Sequence, residues 1–460
     1  MSKVEEFELQ EQLLPTDVES RASPSISGVD TTEISFPYTL THQGHEIQID
    51  SLNWRESLLL RTQIILCFAI FTVMGLADQT VGTLLPFLVE HYNTTETTVS
   101  VVFMLQFFGY SIAALCNDTL HVRFGRRGAL VCSTGCLFIP FTIISLTESL
   151  PLFIFVYLGY GLGIGVLDSC CNVFLSSVED NNEIMGLLHG FYGVGSVIAP
   201  PFVSLVLKHS GYRTYYFFLS ILSGTGMILV YFVFKNENKW KYDYITTKDK
   251  SETEEEIGFI SLLKDSLIIC FCGYLFFYIG AELSIGSWLL TYLRKIKGME
   301  QLQASYIVSW FWIGLTCGRM LLGFVTKRFK NEYRANLWYS FLSWTASLIF
   351  MIFSLAYNGD HYDWISKPLV FVMGVFVGPL FPTAAITLLD LLPVHLQVIG
   401  SGIANSLGGT GSAVLPFLVG ALSRFIGFQY LLVFIDFLIL IYCAFWFYLP
   451  RAAKRTNYDF

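Results

Sequence analysis

Between residues 61 and 449 the chain carries twelve runs of mainly apolar residues, each near the roughly 20 that an α-helix needs to cross about 30 Å of hydrocarbon. Six lie near 61–89, 97–117, 128–147, 152–174, 185–207 and 214–234, and six near 266–292, 302–325, 336–356, 366–391, 397–423 and 429–449. A polar stretch, 235–262, separates the two groups. The pattern predicts an all-α membrane protein whose twelve transmembrane helices form two pseudo-symmetric six-helix bundles, 59–234 and 263–450. Residues 1–58 are polar, acidic and rich in Ser and Thr, and read as a disordered cytoplasmic tail. The stretch 235–262 reads as a cytoplasmic linker and 451–460 as a second short tail. Only 14% of the residues are charged, against about 25% in a soluble domain, which is too few to cover a water-exposed surface. The net charge of −8 comes largely from the N-terminal region and the linker, so it names no partner, and no basic patch suited to nucleic acid is present.

Lys and Arg set the expected orientation, because cytoplasmic loops are enriched in them. With the N-terminus inside, the inner segments hold 20 of the 28, the outer loops hold seven, and Arg319 falls within a span. Both termini are therefore expected in the cytoplasm, in the plasma membrane rather than an internal one. The sequon Asn93-Thr94-Thr95 then lies in the first outer loop, where Asn93 could carry a glycan. No cleavable signal peptide is read at the N-terminus. All ten cysteines fall in apolar runs, with no metal-ligand spacing, and read as small packing residues. With no phosphate-binding loop, zinc set or nucleophile motif, neither covalent chemistry nor a metal or other cofactor is expected.

The two halves repeat each other. The fifth run contains Gly193, Gly195, Ser196 and Pro200, and the eleventh contains Gly409, Gly411, Ser412 and Pro416, the same G-x-G-S-x-x-x-P at an offset of 216 residues. Gly161 and Gly165 match Gly374 and Gly378 at an offset of 213, and Asp78 matches Glu282 at 204. Duplicated halves around a central site are the mark of secondary transporters, which expose that site alternately to each side. The two glycine strips are expected to let neighbouring backbones slide as the halves rock, with Pro200 and Pro416 bending their helices.

These features resemble the major facilitator superfamily over about 59–450. That family carries a G-x-x-x-D-R-x-G-R-R loop between its second and third helices. Here the loop reads Asp118 to Arg127, keeping Arg123, Gly125, Arg126 and Arg127 but placing Val122 where the family has Asp. The resemblance implies a gate on the inner side held by these basic residues, with a weaker echo around Gly318 and Arg319. Within the superfamily the stretches GLGIGVLDSCCN (161–172), LLHGFYGVGSVIAP (187–200) and YIGAELSIGSWLLTYL (278–293) are similar to the fucose–proton symporter branch and its fungal and animal relatives. Those sugar symporters place an acid four residues before the proline of L-L-P in the first helix. Here Gly82 holds that place and Asp78 lies one turn earlier.

Ionisable side chains at mid-membrane are costly and usually face a cavity or a partner. Asp78, Asp168 with Asn172 on the same helix face, and Glu282 are accordingly the candidates for binding substrate or a proton, with Trp288 as a surface for stacking on a sugar ring. The alternative for each is a structural bond to a neighbouring helix. The expected function is alternating-access transport of a small polar, sugar-like solute by a monomer, with or without proton coupling. A nutrient sensor that does not transport, or an exporter of amphipathic compounds, are the rival readings.

Overall fold

The computed structural model describes residues 37–250, 264–326, 328–359, 361–392 and 394–455. Spans one and four to nine are single helices: Leu58–His91, Leu150–Ser176, Asn181–His209, Tyr212–Val233, Ser266–Lys297, Gln301–Thr326 and Glu332–Ala356. The second and third spans form one helical segment, Glu96–Leu146, whose 51 residues would measure about 76 Å if straight. Gly125, at φ 71° and ψ 178°, breaks that segment in two and turns the chain back. Eleven helical segments among the described residues are long and apolar enough to cross a membrane, and the break at Gly125 makes twelve crossings of them.

Proline and glycine divide two further spans. The tenth is Tyr362–Val377 followed by Leu380–Leu391, interrupted at Gly378-Pro379. The eleventh is Val394–Gly409 followed by Gly411–Ile426. Leu431–Arg455 is the twelfth. With twelve crossings, the described ends of the chain, residues 37–57 and the close of Leu431–Arg455, fall on one side with the start of the linker after Tyr212–Val233, called here the terminal side.

Within each half, glycines allow helix backbones to touch, which is how membrane helices associate where lipid competes for every apolar surface. A Cβ on Gly109 would overlap the Leu158 carbonyl and one on Gly161 the Gln106 carbonyl, so the second and fourth spans cross in mutual contact. The eighth and tenth spans do the same through Gly314 and Gly374. Gly195 packs on the first span at Thr72, and Gly411 on the seventh at Phe276. These contacts lie inside one half each, so the strip expected to slide between the halves instead holds each half together. Of its four glycines, only Gly193 faces the other half, against Thr316, and Gly409 meets nothing within 4 Å.

Residues 37–57 are ordered, contrary to the disordered tail expected for 1–58; residues 1–36 lie outside the described region. Strands β1 (Tyr38–His42) and β2 (His45–Ile49) form an antiparallel hairpin. Its two turn residues, Gln43 and Gly44, both have positive φ, as a two-residue hairpin loop requires. The hairpin rests on a helix in the linker, Lys239–Lys250: the His45 ring stacks on Trp240 at 3.9 Å, and Gln43 donates to Asp243 at 2.8 Å. Propensity overlooked this element because ten short-strand residues have no independent stability; they fold only against the linker helix.

Candidate functional site

The two acids that matched across the repeat both lie at mid-span, each held by tyrosine. In the first half, the Asp78 carboxylate accepts from Tyr160 OH at 2.7 Å, Tyr192 OH at 3.0 Å and Gln106 Nε2 at 3.0 Å. In the second, Glu282 accepts from Tyr278 OH at 2.5 Å and pairs with Arg319 Nη2 at 3.5 Å. Their surroundings differ in charge: three neutral donors surround Asp78, whereas Glu282 has a cation.

Arg319 was expected to echo the gate on the inner side. The structure places it instead beside Glu282, with Nε donating to the Gly378 carbonyl at 3.3 Å. That carbonyl is available because residue 382, which would donate to it in an unbroken helix, is Pro382. The G-P-x-x-P of span ten thus makes the acceptor that orients the arginine.

Asp168 lies on the terminal side of Asp78. It accepts from Tyr110 OH at 3.0 Å and from Asn172 Nδ2 at 2.9 Å. Spans two and four each serve both acids: Gln106 and Tyr110 sit one turn apart, and Tyr160 and Asp168 about two turns apart. Tyr110 is 40% exposed.

Trp288 is not available for stacking on a ligand. It is 0% exposed, donates to the Pro416 carbonyl at 2.9 Å and packs against Gly420. Six residues from Glu282, it points into the contact between spans seven and eleven.

Every hydrogen bond or ion pair between the halves, among the described residues, lies at mid-membrane or on the side away from the termini. Lys295 pairs with Glu96. Gln301 Nε2 donates to the Thr83 carbonyl at 2.9 Å, and Ser309 Oγ to the Val197 carbonyl at 2.7 Å. Gly82, in the place where sugar symporters have an acid, abuts Ser287, whose Cα would be 2.6 Å from a Cβ at that position. A side chain there would wedge this seam apart, which accounts for the acid standing one turn away at Asp78. Among the described residues these contacts seal the side opposite the termini. Reversing the charge at Lys295 to Glu sets it against Glu96 and should weaken the seal. A single cysteine in place of Ser287 would then react with an impermeant maleimide at least about tenfold faster from the opposite side. Unchanged labelling would mean the barrier lies elsewhere.

The loop between spans two and three also departs from expectation. Arg126 Nη1 donates to Glu237 at 2.8 Å, and Lys241 joins the same carboxylate at 2.6 Å and Asp50 at 3.3 Å. Burial raises the Glu237 pKa, but Arg126 and Lys241 outweigh it and hold the carboxyl below its ordinary range. The Arg127 guanidinium lies over Tyr231 at 3.9 Å, and Arg123 over Phe124 at 5.6 Å. A Cβ on Gly125 would collide with Asn238, so glycine is needed for the linker to seat here. The Arg126 side chain and the Arg127 backbone N–H, which donates to the Glu237 carbonyl at 2.8 Å, bind the linker to the first half, and Glu237 stands as the acid beside Arg126. Asn93 is exposed in the loop after the first span, at φ 47°.

Sequence reasoning missed Gln106, Tyr110, Tyr160, Tyr192 and Tyr278. Two carried a local signal, since Tyr278 is four residues from Glu282 and Tyr110 four from Gln106, each on one helix face. Tyr160 and Tyr192 reach Asp78 only through tertiary packing.

The chain matches the family model described as Major Facilitator Superfamily over residues 67–416. Bypass of stop codon protein 6 of Saccharomyces cerevisiae is 36% identical over 433 residues, covering 90% of this chain and 87% of that protein. The glucose/mannose transporter GlcP of Bacillus subtilis is 24% identical, covering 79% and 88%. Among solved structures, a bacterial homolog of the human lysosomal transporter Spinster, described as inward-facing and unoccupied, superposes with a TM-score of 0.66 at 13% identity, over 88% of this chain and 99% of that one. A match running from the first span into the eleventh, on twelve crossings folded as two like halves, has one reading: this chain belongs to the major facilitator superfamily of membrane transporters.

Proposed function

We propose that this transporter carries a sugar-like polyol through the membrane by alternating access, with Asp78 as the proton-coupling residue and the terminal side in the cytoplasm. The carrying observation is the contrast between the two central acids. Among the described residues Asp78 has only neutral donors, so a proton is the counter-charge open to it in an apolar bundle. Glu282, paired with Arg319, offers charge-assisted acceptors to hydroxyl groups. Protonation of Asp78 would weaken its hold on Tyr192, which belongs to the fifth span beside the inter-half seam. The name of the Bacillus subtilis relative, a glucose/mannose transporter, agrees with a hexose as substrate.

The test is uptake of labelled glucose, mannose and galactose into proteoliposomes, with and without an inward proton gradient. Saturable uptake of at least one hexose, accelerated by the gradient and indifferent to it in Asp78→Asn, is the expected result. No hexose uptake at all would overturn the substrate class, and equal acceleration in Asp78→Asn would overturn the coupling role.

A second reading, transport of an amphipathic compound, is favoured by one feature. A cavity of about 220 Å³ on the terminal side is lined by Phe271, Leu275, Phe381, Ala384 and Leu388, with Asn405 among its few polar groups. Aryl glucosides outcompeting glucose in the same vesicles would support that reading.

A further inference from the structure

Trp312 in the eighth span is 1% exposed, and its indole Nε1, which can only donate, has no acceptor among the described residues. A buried donor left unmade costs on the order of 1–3 kcal/mol, so it persists where something other than folding uses it. The Trp312 ring and the Gln79 amide of the first span both stand against Gly286 of the seventh. A Cβ on Gly286 would lie 2.7 Å from Trp312 Cζ2 and 3.0 Å from Gln79 Oε1. Gln79 is 5% exposed, with its amide oxygen directed at Gly286.

The position of this cluster connects it to the acids. Gln79 adjoins Asp78. Gly286 is one turn beyond Glu282, and Trp312 is two turns from Arg319, each on the same helix face. Gln79 belongs to the first half, Trp312 and Gly286 to the second, so the cluster straddles the seam that opens when the halves rock.

We infer that Trp312 and Gln79 form a subsite for a hydroxyl or carbonyl oxygen of the substrate, engaged when the halves close around it. Trp312 Nε1 donates to the oxygen. The Gln79 amide donates to the same oxygen or accepts from its hydroxyl hydrogen. Gly286 is required because any side chain there would displace the indole. This subsite rests on the proposed polyol substrate and extends it past the Glu282–Arg319 pair toward the sealed side.

A packing role for Trp312 would lower surface level and leave KM unchanged. Trp312→Phe deletes the unpaired donor together with part of the indole's volume, so KM rather than unfolding temperature carries the test. Uptake of the hexose that the wild type carries should show a KM raised about tenfold, the loss of one hydrogen bond. Gln79→Leu should act in the same direction, and the double variant should lose less than the product of the two, because both groups hold one oxygen. An unchanged KM in Trp312→Phe overturns the subsite. Absence of hexose uptake in the wild type sinks the polyol reading, and the subsite with it.

Discussion

Glu282→Gln should abolish transport, lowering turnover at least about 100-fold, the scale of one lost charge-assisted interaction at the reacting centre. The amide can still accept from Tyr278, so local packing survives. The charge does not, and Arg319 is then left at mid-membrane with neutral partners, the Gly378 carbonyl and Tyr278. Removing one member of a buried pair costs about 3–5 kcal/mol because the other is stranded, so the single variant should also reach the membrane in reduced amount. Glu282→Gln combined with Arg319→Gln should restore surface level without restoring uptake. Asp78→Asn should differ, since no cation depends on it: full surface level, with only coupling lost. Surface labelling and uptake measured on the four proteins separate these outcomes. Normal uptake by Glu282→Gln would remove it from the site.

Gly411→Leu should prevent folding, whereas Gly409→Leu, two residues away, should leave surface level within about twofold of wild type. A Cβ on Gly411 would overlap the Phe276 carbonyl, and nothing flexible there can give way. Overpacking a helix crossing by a whole isobutyl group belongs among the substitutions that exceed about 4 kcal/mol. Gly195→Leu should fail equally, because the Thr72 carbonyl stands in its way. At Gly409 there is open space, and a leucine only replaces a poor helix former. Size-exclusion profiles of the purified variants and their surface levels provide the check. A well-folded Gly411→Leu protein with failed turnover would instead restore the sliding role that the repeat suggested.

The outcome for these glycines shows what the repeat could convey. Matching G-x-G-S-x-x-x-P motifs identified two equivalent helices and correctly signalled close backbone contact at Gly195 and Gly411. They could not say which helix would be contacted. A periodic pattern describes one face of one helix, and the partner of that face is chosen by the packing of all six spans in a half. The same limit explains Trp288. Its depth and its neighbours suit a sugar site, but one face of the seventh span meets the eleventh and another the centre, and only the crossing decides between them.

Hydropathy alone determined the twelve crossings, their grouping by six and the depths of Asp78, Asp168 and Glu282. Each follows from a local quantity, the cost of putting polar atoms in hydrocarbon, which is paid residue by residue along the chain. The partners of those acids were decided by tertiary structure. Tyr192 lies 114 residues from Asp78, and Arg319 reaches Glu282 from the next span. The hairpin at 38–49 and the Arg126–Glu237 bond were settled in the same way, by surfaces that exist only once the first six spans and the linker have come together. Hydrogen bonds between helices depend on rotation and crossing angle, and the sequence encodes those only through the sum of all its contacts.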